Sequence, residues 1–222
     1  KSLDNNKTYF TALDLASFDQ YKYLIDDFTR AGNVDLAYEI YGIFRKRFDD
    51  RMTYVLNKLV GQEFDFSVDE YYETDRDKEP WCKNDAELDE VWRKIIKSQA
   101  LSLKLAGKDQ PEIEKTLRER YERFRKSIQQ FNSEDVFSMY MNTITEAYDP
   151  HTNYFSPKAA DQFKMQMSLS LEGIGARLQT ENDYTRVAEV ILGGPADKSK
   201  LVNVNDRIIG VAQGLDGEMV DV

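Results

Sequence analysis

Two hydrophobic periods divide the chain, and they change over near Asp149 and Pro150. Before that point apolar residues recur every three or four positions, the spacing of a helix that buries one stripe. Leu36, Ile40, Phe44, Phe48, Met52, Val55 and Leu59 predict a helix that begins near Asn33. A second stripe runs through Leu88, Val91, Trp92, Ile95 and Ile96 toward Leu103. Asn84 stands before it as a cap with Glu87 three residues later, and Gly107 stops it. A third helix follows Pro111 with Ile113, Leu117, Tyr121, Phe124 and Ile128 on one side. A fourth carries Val136, Phe137, Tyr140, Met141, Ile144 and Tyr148, and one more is expected from Leu13 to Phe28. Residues 1–148 therefore read as an all-helical domain of about five helices packed stripe against stripe.

From Met165 the period falls to two. Met165, Met167, Leu169 and Leu171 alternate with Gln166, Ser168 and Ser170, as in a strand with one buried face. A second alternation follows through Ala176, Leu178 and Thr180, and further short strands are expected over 186–192 and 206–212. Pro195 is placed to open a short helix that closes before a turn at Asn203 to Asp206. The fold class is α+β: the helical domain, a linker over 149–164, and a small β-rich module over 165–222.

Composition narrows what such a chain can do. Its 222 residues are 41% hydrophobic and 12% aromatic, enough for one large or two small cores. A net charge of −10 repels nucleic-acid phosphates and anionic membranes, so neither is expected as a partner. No apolar run approaches the ~20 residues of a membrane span, and KSLDNNKTYF lacks a signal-peptide core. These features lead one to expect a chain that is cytosolic or already trimmed of its targeting segment. Cys82 is the single cysteine, which excludes an internal disulfide and a multi-cysteine metal site.

Residues 63–80 hold eight carboxylates against two basic groups. They lack the ligand offsets, central glycine and closing glutamate of a calcium loop, so a solvated acidic loop with docked aromatics is expected. The basic stretches 45–51 and 117–126 fall opposite the apolar stripes beside acids that can pair with them, as on an exposed helix face. No cofactor or metal site is expected. His151 is the single histidine; with Asp149, Thr152 and Ser156 it could suggest a triad, but a contiguous segment does not easily fold back to bring those groups together. A turn held by Asp and Thr side chains is the simpler expectation, with Tyr154 and Phe155 anchoring it. Lys198-Ser199-Lys200 invites a Ser/Lys reading, against which a solvated helix surface is expected.

Gly173-Ile174-Gly175 lies between two alternating runs. Two glycines let the backbone turn tightly with its N–H groups converging on one small space, a nest for an anion, while an apolar side chain lines its floor. A free α-carboxylate with an apolar last side chain fits that space, and the strand after the loop can take up the rest of a peptide by β-addition. Glycine pairs are also common at plain turns, and the loop alone leaves both readings open.

The run GIGARL with GGPADKSKLVNVNDRIIGV resembles a bacterial PDZ domain, with Gly173, Ile174, Gly175 and Ala176 at the positions of the carboxylate-binding Gly-Leu-Gly-Phe loop. AYDPHTNYFSP, 147–157, resembles the segment that introduces the PDZ domain of C-terminal processing peptidases, serine proteases of family S41. The helical region is similar to the amino-terminal part of the tail-specific proteases of Gram-negative bacteria. The resemblance implies peptide binding by Gly173, Ile174, Gly175, Ala176, Arg177 and Leu178, and protein substrates with free apolar C-termini. It further implies a serine endopeptidase parent with a Ser/Lys dyad, a periplasmic location and a possible adaptor on the helical domain.

The sequence ends at MVDV within the PDZ module, so this chain is expected to be an amino-terminal fragment without peptidase activity of its own. The alternative is a non-catalytic PDZ scaffold. A third reading leaves the glycines as a turn that binds nothing.

Overall fold

The computed structural model describes residues 2–168, 173–181, 184–212 and 217–221. The chain divides into two compact units, 1–156 and 157–222. The first is helical and the second carries antiparallel strands, so the class is α+β.

Four long helices build the first unit: α3 (Asp35–Tyr54), α4 (Asp85–Leu105), α5 (Gln110–Gln129) and α6 (Ser133–Tyr148), preceded by the short α1 (Ala12–Phe18) and α2 (Ile25–Arg30). Four of these starts, those of α1, α4, α5 and α6, have a side-chain cap. Asn84 accepts from the Glu87 N–H, and Thr11, Asp109 and Asn132 form reciprocal capping boxes with the carboxylates of Asp14, Glu112 and Asp135. The apolar stripes meet in one core, where Phe48, Met52, Val55, Leu88, Ile96 and Leu117 are all 1% exposed or less. Rings knit this core: Tyr9 lies 5.3 Å from Phe48 and 5.7 Å from Trp92, whose indole N–H donates to the Thr8 carbonyl at 2.7 Å. At the end of α3 one π-helical turn, Val55–Leu59, keeps Val55, Leu56 and Leu59 buried.

Three expectations for this unit need correction. The helix expected over 13–28 is broken into α1, a 3₁₀ turn (Asp19–Tyr21) and α2. Neither short helix fully buries a residue; Leu15 and Phe18 pack against the core from α1, and no comparable stripe on α2 extends that contact to hold one continuous helix against the cost of nucleation. Arg51, in one of the basic stretches, is buried rather than exposed; it pairs with Asp89 and lies 5.3 Å from the Tyr54 ring. Tertiary packing places a charge there because a carboxylate from α4 meets it. Phe124, in the third stripe, is 39% exposed at the margin of the core.

The acidic segment docks on the bundle through Phe66, Arg76 and one of its acids, Glu70. Arg76 is buried and donates to the Asn6 carbonyl at 3.1 Å, while Lys104 stands 4.9 Å from the Phe66 ring. Glu70 pairs with Arg93 at 2.9 Å and Lys97 at 3.3 Å. Cys82 is buried, and that burial pushes its thiol pKa up.

The second unit opens with α7 (Pro157–Met167), where a linker and then a strand were expected. Met165 and Met167 thus lie on a helix. Phe163 and Met167, four apart, share one side of the helix while Met165 lies on the other, and two alternating residues are too few to fix a period. Leu169, Ser170, Leu171 and Glu172 lie outside the described residues. A three-stranded antiparallel sheet of order β1-β2-β3 follows, from β1 (Ala176–Glu181), β2 (Tyr184–Val190) and β3 (Arg207–Ile208). A short helix, α8 (Pro195–Ser199), intervenes with Pro195 in its first turn, and β4 (Gly210–Val211) pairs with β5 (Val220–Asp221).

Candidate functional site

The loop 173–175 enters β1, and its geometry follows from two neighbouring glycines. Gly175 has φ +75, in the left-handed region, and a Cβ there would stand 2.8 Å from the Pro195 ring and 3.1 Å from Gly194 Cα. Gly194 faces it: a Cβ on that residue would meet Gly175 Cα at 3.1 Å and the Ile191 carbonyl at 3.0 Å. The two backbones touch because neither residue has a side chain. Gly173 differs, since a Cβ there would meet nothing within 4 Å.

Hydrogen bonds then fix which way the peptide groups face. The Ile174 carbonyl accepts from the Ala196 N–H at 2.9 Å, and the Gly175 carbonyl accepts from the Ile191 N–H at 2.9 Å. No peptide bond is cis, and a trans peptide sets its N–H opposite its C=O. The N–H groups of Gly175 and Ala176 are therefore turned away from α8 and β2. Ala176 pairs with Val190, and among the described residues β1 stands at the edge of its sheet, so the Ala176 N–H faces that edge.

The remaining site residues lie along that edge. Ile174 is 52% exposed and Leu178 is 43% exposed, two apolar side chains at the start of an edge strand. Arg177 is exposed and pairs with Glu189 across the strands at 3.0 Å, and the register shifts between Arg177 and Leu178. That bulge increases the local twist just after the loop. Behind the strand Val187 is fully buried, and its N–H and carbonyl bond to Asp206 and Asn205 at 2.9 Å each. Asp197 accepts from the Gly193 N–H at 2.9 Å; its hydrogen bonds with Lys200 and Gly193 hold its pKa below the usual carboxylate range. The one acid bracing the glycine turn is thus already matched by a lysine.

The brace formed by Ile191, Gly194, Pro195 and Ala196 is what the sequence reading did not assign to the site. Its signal was present in the GGPAD run, where two glycines precede a helix-opening proline.

The other candidate groups are occupied elsewhere. Asp149 accepts from the His151 N–H at 2.9 Å and from the Thr152 hydroxyl at 2.9 Å, and these bonds lower its pKa. His151 projects into solvent with its side chain 91% exposed, on a turn rather than in a cleft. The Tyr154 N–H donates to the Asn142 side chain at 2.7 Å, and its ring meets Phe137 edge-on at 5.5 Å, so Tyr154 anchors this turn. The Ser199 hydroxyl donates to the Ala196 carbonyl at 3.1 Å, and Lys200 pairs with Asp197. The Lys198-Ser199-Lys200 run is accordingly a helix end. Among the described residues no three His, Cys, Asp or Glu side chains gather as a metal site would require, and no helix is long and apolar enough to cross a membrane.

Comparison with known proteins adds two family matches. Residues 1–158 match the tail specific protease N-terminal domain, and residues 162–220 match the PDZ domain. A protein named Tail-specific protease from Haemophilus influenzae is 34% identical over 223 residues. That alignment covers 100% of this chain and 32% of the relative, so the chain spans about a third of that protein's length.

Proposed function

The chain belongs to the tail-specific protease N-terminal domain family and carries a PDZ domain after it, and from that premise we propose that it is the substrate-recognition part of a tail-specific serine endopeptidase. The loop receives the α-carboxylate of a protein's free C-terminus on the N–H groups of Gly175 and Ala176. The residues before that carboxylate add to the open edge of β1, and Ile174 and Leu178 meet their apolar side chains. One observation carries this reading: the carbonyls of Ile174 and Gly175 are tied to Ala196 and Ile191, which turns the following N–H groups outward in advance of any ligand. Donors fixed before binding lose little freedom when an anion arrives, the general advantage of preorganisation.

Hydrolysis belongs, on this proposal, to a serine and a lysine elsewhere in the parent protein. Within the described residues the Ser199 hydroxyl is held by a backbone carbonyl and Lys200 by a carboxylate, which supports a chain that recognises substrate without cutting it. The family resemblance supports a periplasmic parent and a helical domain that shapes access or holds an adaptor. Fractionation of cells producing the full-length tagged protein tests the location: recovery in the cytoplasm overturns it.

The binding test is a fluorescence-anisotropy titration of a labelled peptide ending in Leu-Ala-Ala, beside its C-terminal amide. The free acid is expected to bind at least ~10-fold more tightly, since a lost charge-assisted hydrogen bond costs about 1.5–3 kcal/mol. Equal binding of acid and amide would sink the carboxylate nest, and absence of binding would return the glycines to a plain turn.

A further inference from the structure

The helical unit holds a cavity of about 510 Å³ that tail recognition does not use. It lies between α4 and α5 and is bounded by the amino-terminal segment and by Tyr72 of the acidic segment. That volume is within the range of small-molecule sites. The floor is apolar, formed by Trp92, Ile95 and Phe124, with the Trp92 ring 5.7 Å from Tyr9 and edge-on to Tyr121 at 6.0 Å.

The wall is biased toward donors. The chain has 40 acidic residues, yet no Asp or Glu lines this space, whereas Arg120 does. Arg47, Arg51, Arg93, Arg118 and Arg125 of the same unit each pair with a carboxylate. Arg120 is exposed and forms no ion pair among the described residues; its Nη1 donates to Gln99 Oε1 at 2.9 Å.

That bond fixes the direction of a longer chain. Arginine has donors only, so the Gln99 amide must set its oxygen toward Arg120 and its NH₂ toward Tyr121. Its Nε2 donates to the Tyr121 hydroxyl at 2.9 Å. A hydroxyl that accepts there sends its single proton elsewhere, and no acceptor for that proton occurs among the described residues. The polar groups that act on this hydroxyl, Gln99, Arg120 and Tyr72, all line the cavity, so the proton is offered at the cavity wall. Tyr121 is 5% exposed, and burial pushes its pKa up to about 12, which keeps the proton in place. Cation, amide and phenol thus form one head-to-tail chain whose free ends are a guanidinium and an O–H donor.

We infer that this cavity binds a small aromatic carboxylate, with its ring on Trp92, Ile95 and Phe124 and its oxygens taking donors from Arg120 and Tyr121. A carboxylate is the acceptor-only group that the wall lacks. A neutral ligand would leave the guanidinium without a counter-ion.

The experiment titrates the whole chain with 2-naphthoate and with its neutral amide, 2-naphthamide, reading calorimetric heats and amide shifts. Saturable shifts centred on Trp92, Gln99 and Tyr121 are expected, with the acid bound about 10-fold more tightly, the factor of one charge-assisted hydrogen bond. Arg120→Gln, at an exposed position, is expected to remove that preference and leave the affinity for the amide unchanged. Tyr121→Phe is expected to weaken the acid about 5-fold with the native amide spectrum retained. No saturable binding of 2-naphthoate, shifts centred elsewhere, an acid preference that survives Arg120→Gln, or an acid affinity unmoved in a folded Tyr121→Phe would each overturn the inference. Acetate or inorganic phosphate bound as tightly as 2-naphthoate would reveal a bare cation and overturn the aromatic class. Ser98→Trp, which fills the cavity from α4, is expected to abolish binding of both molecules; retained binding with a native amide spectrum overturns the location.

Discussion

The helical unit and the strand-bearing unit are held together in opposite ways. In the first, large side chains close on one another until Met52, Leu88, Ile96 and Leu117 lose all contact with water. In the second, Val187 and Ala196 are the buried apolar residues among those described, while Leu192, Leu201 and Ile209 stand 71% exposed or more. What fixes the second unit locally is backbone: paired strands, carbonyls of the loop bound by Ile191 and Ala196, and two glycines in contact. The first unit gains stability from apolar area, which is non-directional. The second sets donors in definite directions and, among the described residues, leaves β1 unpaired on one side.

The sharpest way to break that comparison is to remove bulk from the helical core. Phe48→Ala is expected to cost about 3–5 kcal/mol by emptying the centre of the ring cluster, read as a lowered urea midpoint. The amide signals of β1 and β2 should keep their dispersion under conditions where the helical signals collapse. Joint loss would show that the two units share one stabilising core after all.

The converse change acts on direction rather than bulk. Gly175→Val forces a β-branched residue into φ +75 against Pro195, at about 1–3 kcal/mol of local strain. It should abolish binding of the Leu-Ala-Ala peptide with the helical melting temperature unmoved. A β-branched residue at either glycine is expected from the sequence to have this effect, but the structure separates the two positions. Gly173→Val meets open space and should retain most of the binding, and equal loss at both would show that the close approach to Gly194 is not what orders the loop.

A smaller effect tests local signals inside the helical unit. Asn132→Ala removes the side chain that accepts the Glu134 and Asp135 N–H groups and should lower stability by about 1 kcal/mol. Differential scanning calorimetry would show it as a shift of the helical transition alone.

The smallest effect is a pH dependence. Burial works against ionisation of Asp14, but hydrogen bonds from Arg47 and Thr11 outweigh it and hold its pKa below the ordinary 3.8. A depressed carboxylate contributes stability that is present above its unfolded value and lost as pH falls through its folded value. The helical unit should therefore weaken as pH drops below about 4, with Asp14 supplying about 0.5 kcal/mol of that change at a partly exposed ion pair. Asp14→Asn should flatten this part of the urea-midpoint profile, and an identical profile would remove Asp14 from the account.

Legibility in the sequence tracks the same contrast. The four long helices could be read from Leu36, Leu88, Ile113, Val136 and the residues in step with them, because a stripe repeated over five turns admits one period. The caps at Asn84 and the proline at the start of α8 are equally local. The helix from Leu13 to Phe28 was misread because its stripe is short and only its first part, at Leu15 and Phe18, packs against the core. The strand expected from Met165 failed over Met165 and Met167, because two alternating residues do not exclude a helix; Leu169 and Leu171 lie outside the described residues. Among the site residues, Gly173 and Gly175 could both be picked out, without distinction, from their neighbours in the chain, whereas the structure shows Gly175 to be the one in close contact. Its contact with Gly194 could not, because nineteen positions separate them and nothing local encodes that approach.

The sequence by itself determined the two halves and their classes, the starts of α4, α5 and α8, and the residue types able to form an anion nest. These depend on periodicity and on side-chain-to-backbone bonds that span four residues or fewer. Tertiary structure decided the burial of Arg51 against Asp89, the different freedom of Gly173 and Gly175, and the outward turn of the loop's N–H groups. It also decided the burial of the Tyr41 hydroxyl without a hydrogen-bond partner among the described residues. Each of these depends on which distant atoms come within contact distance, and chain order does not contain that information.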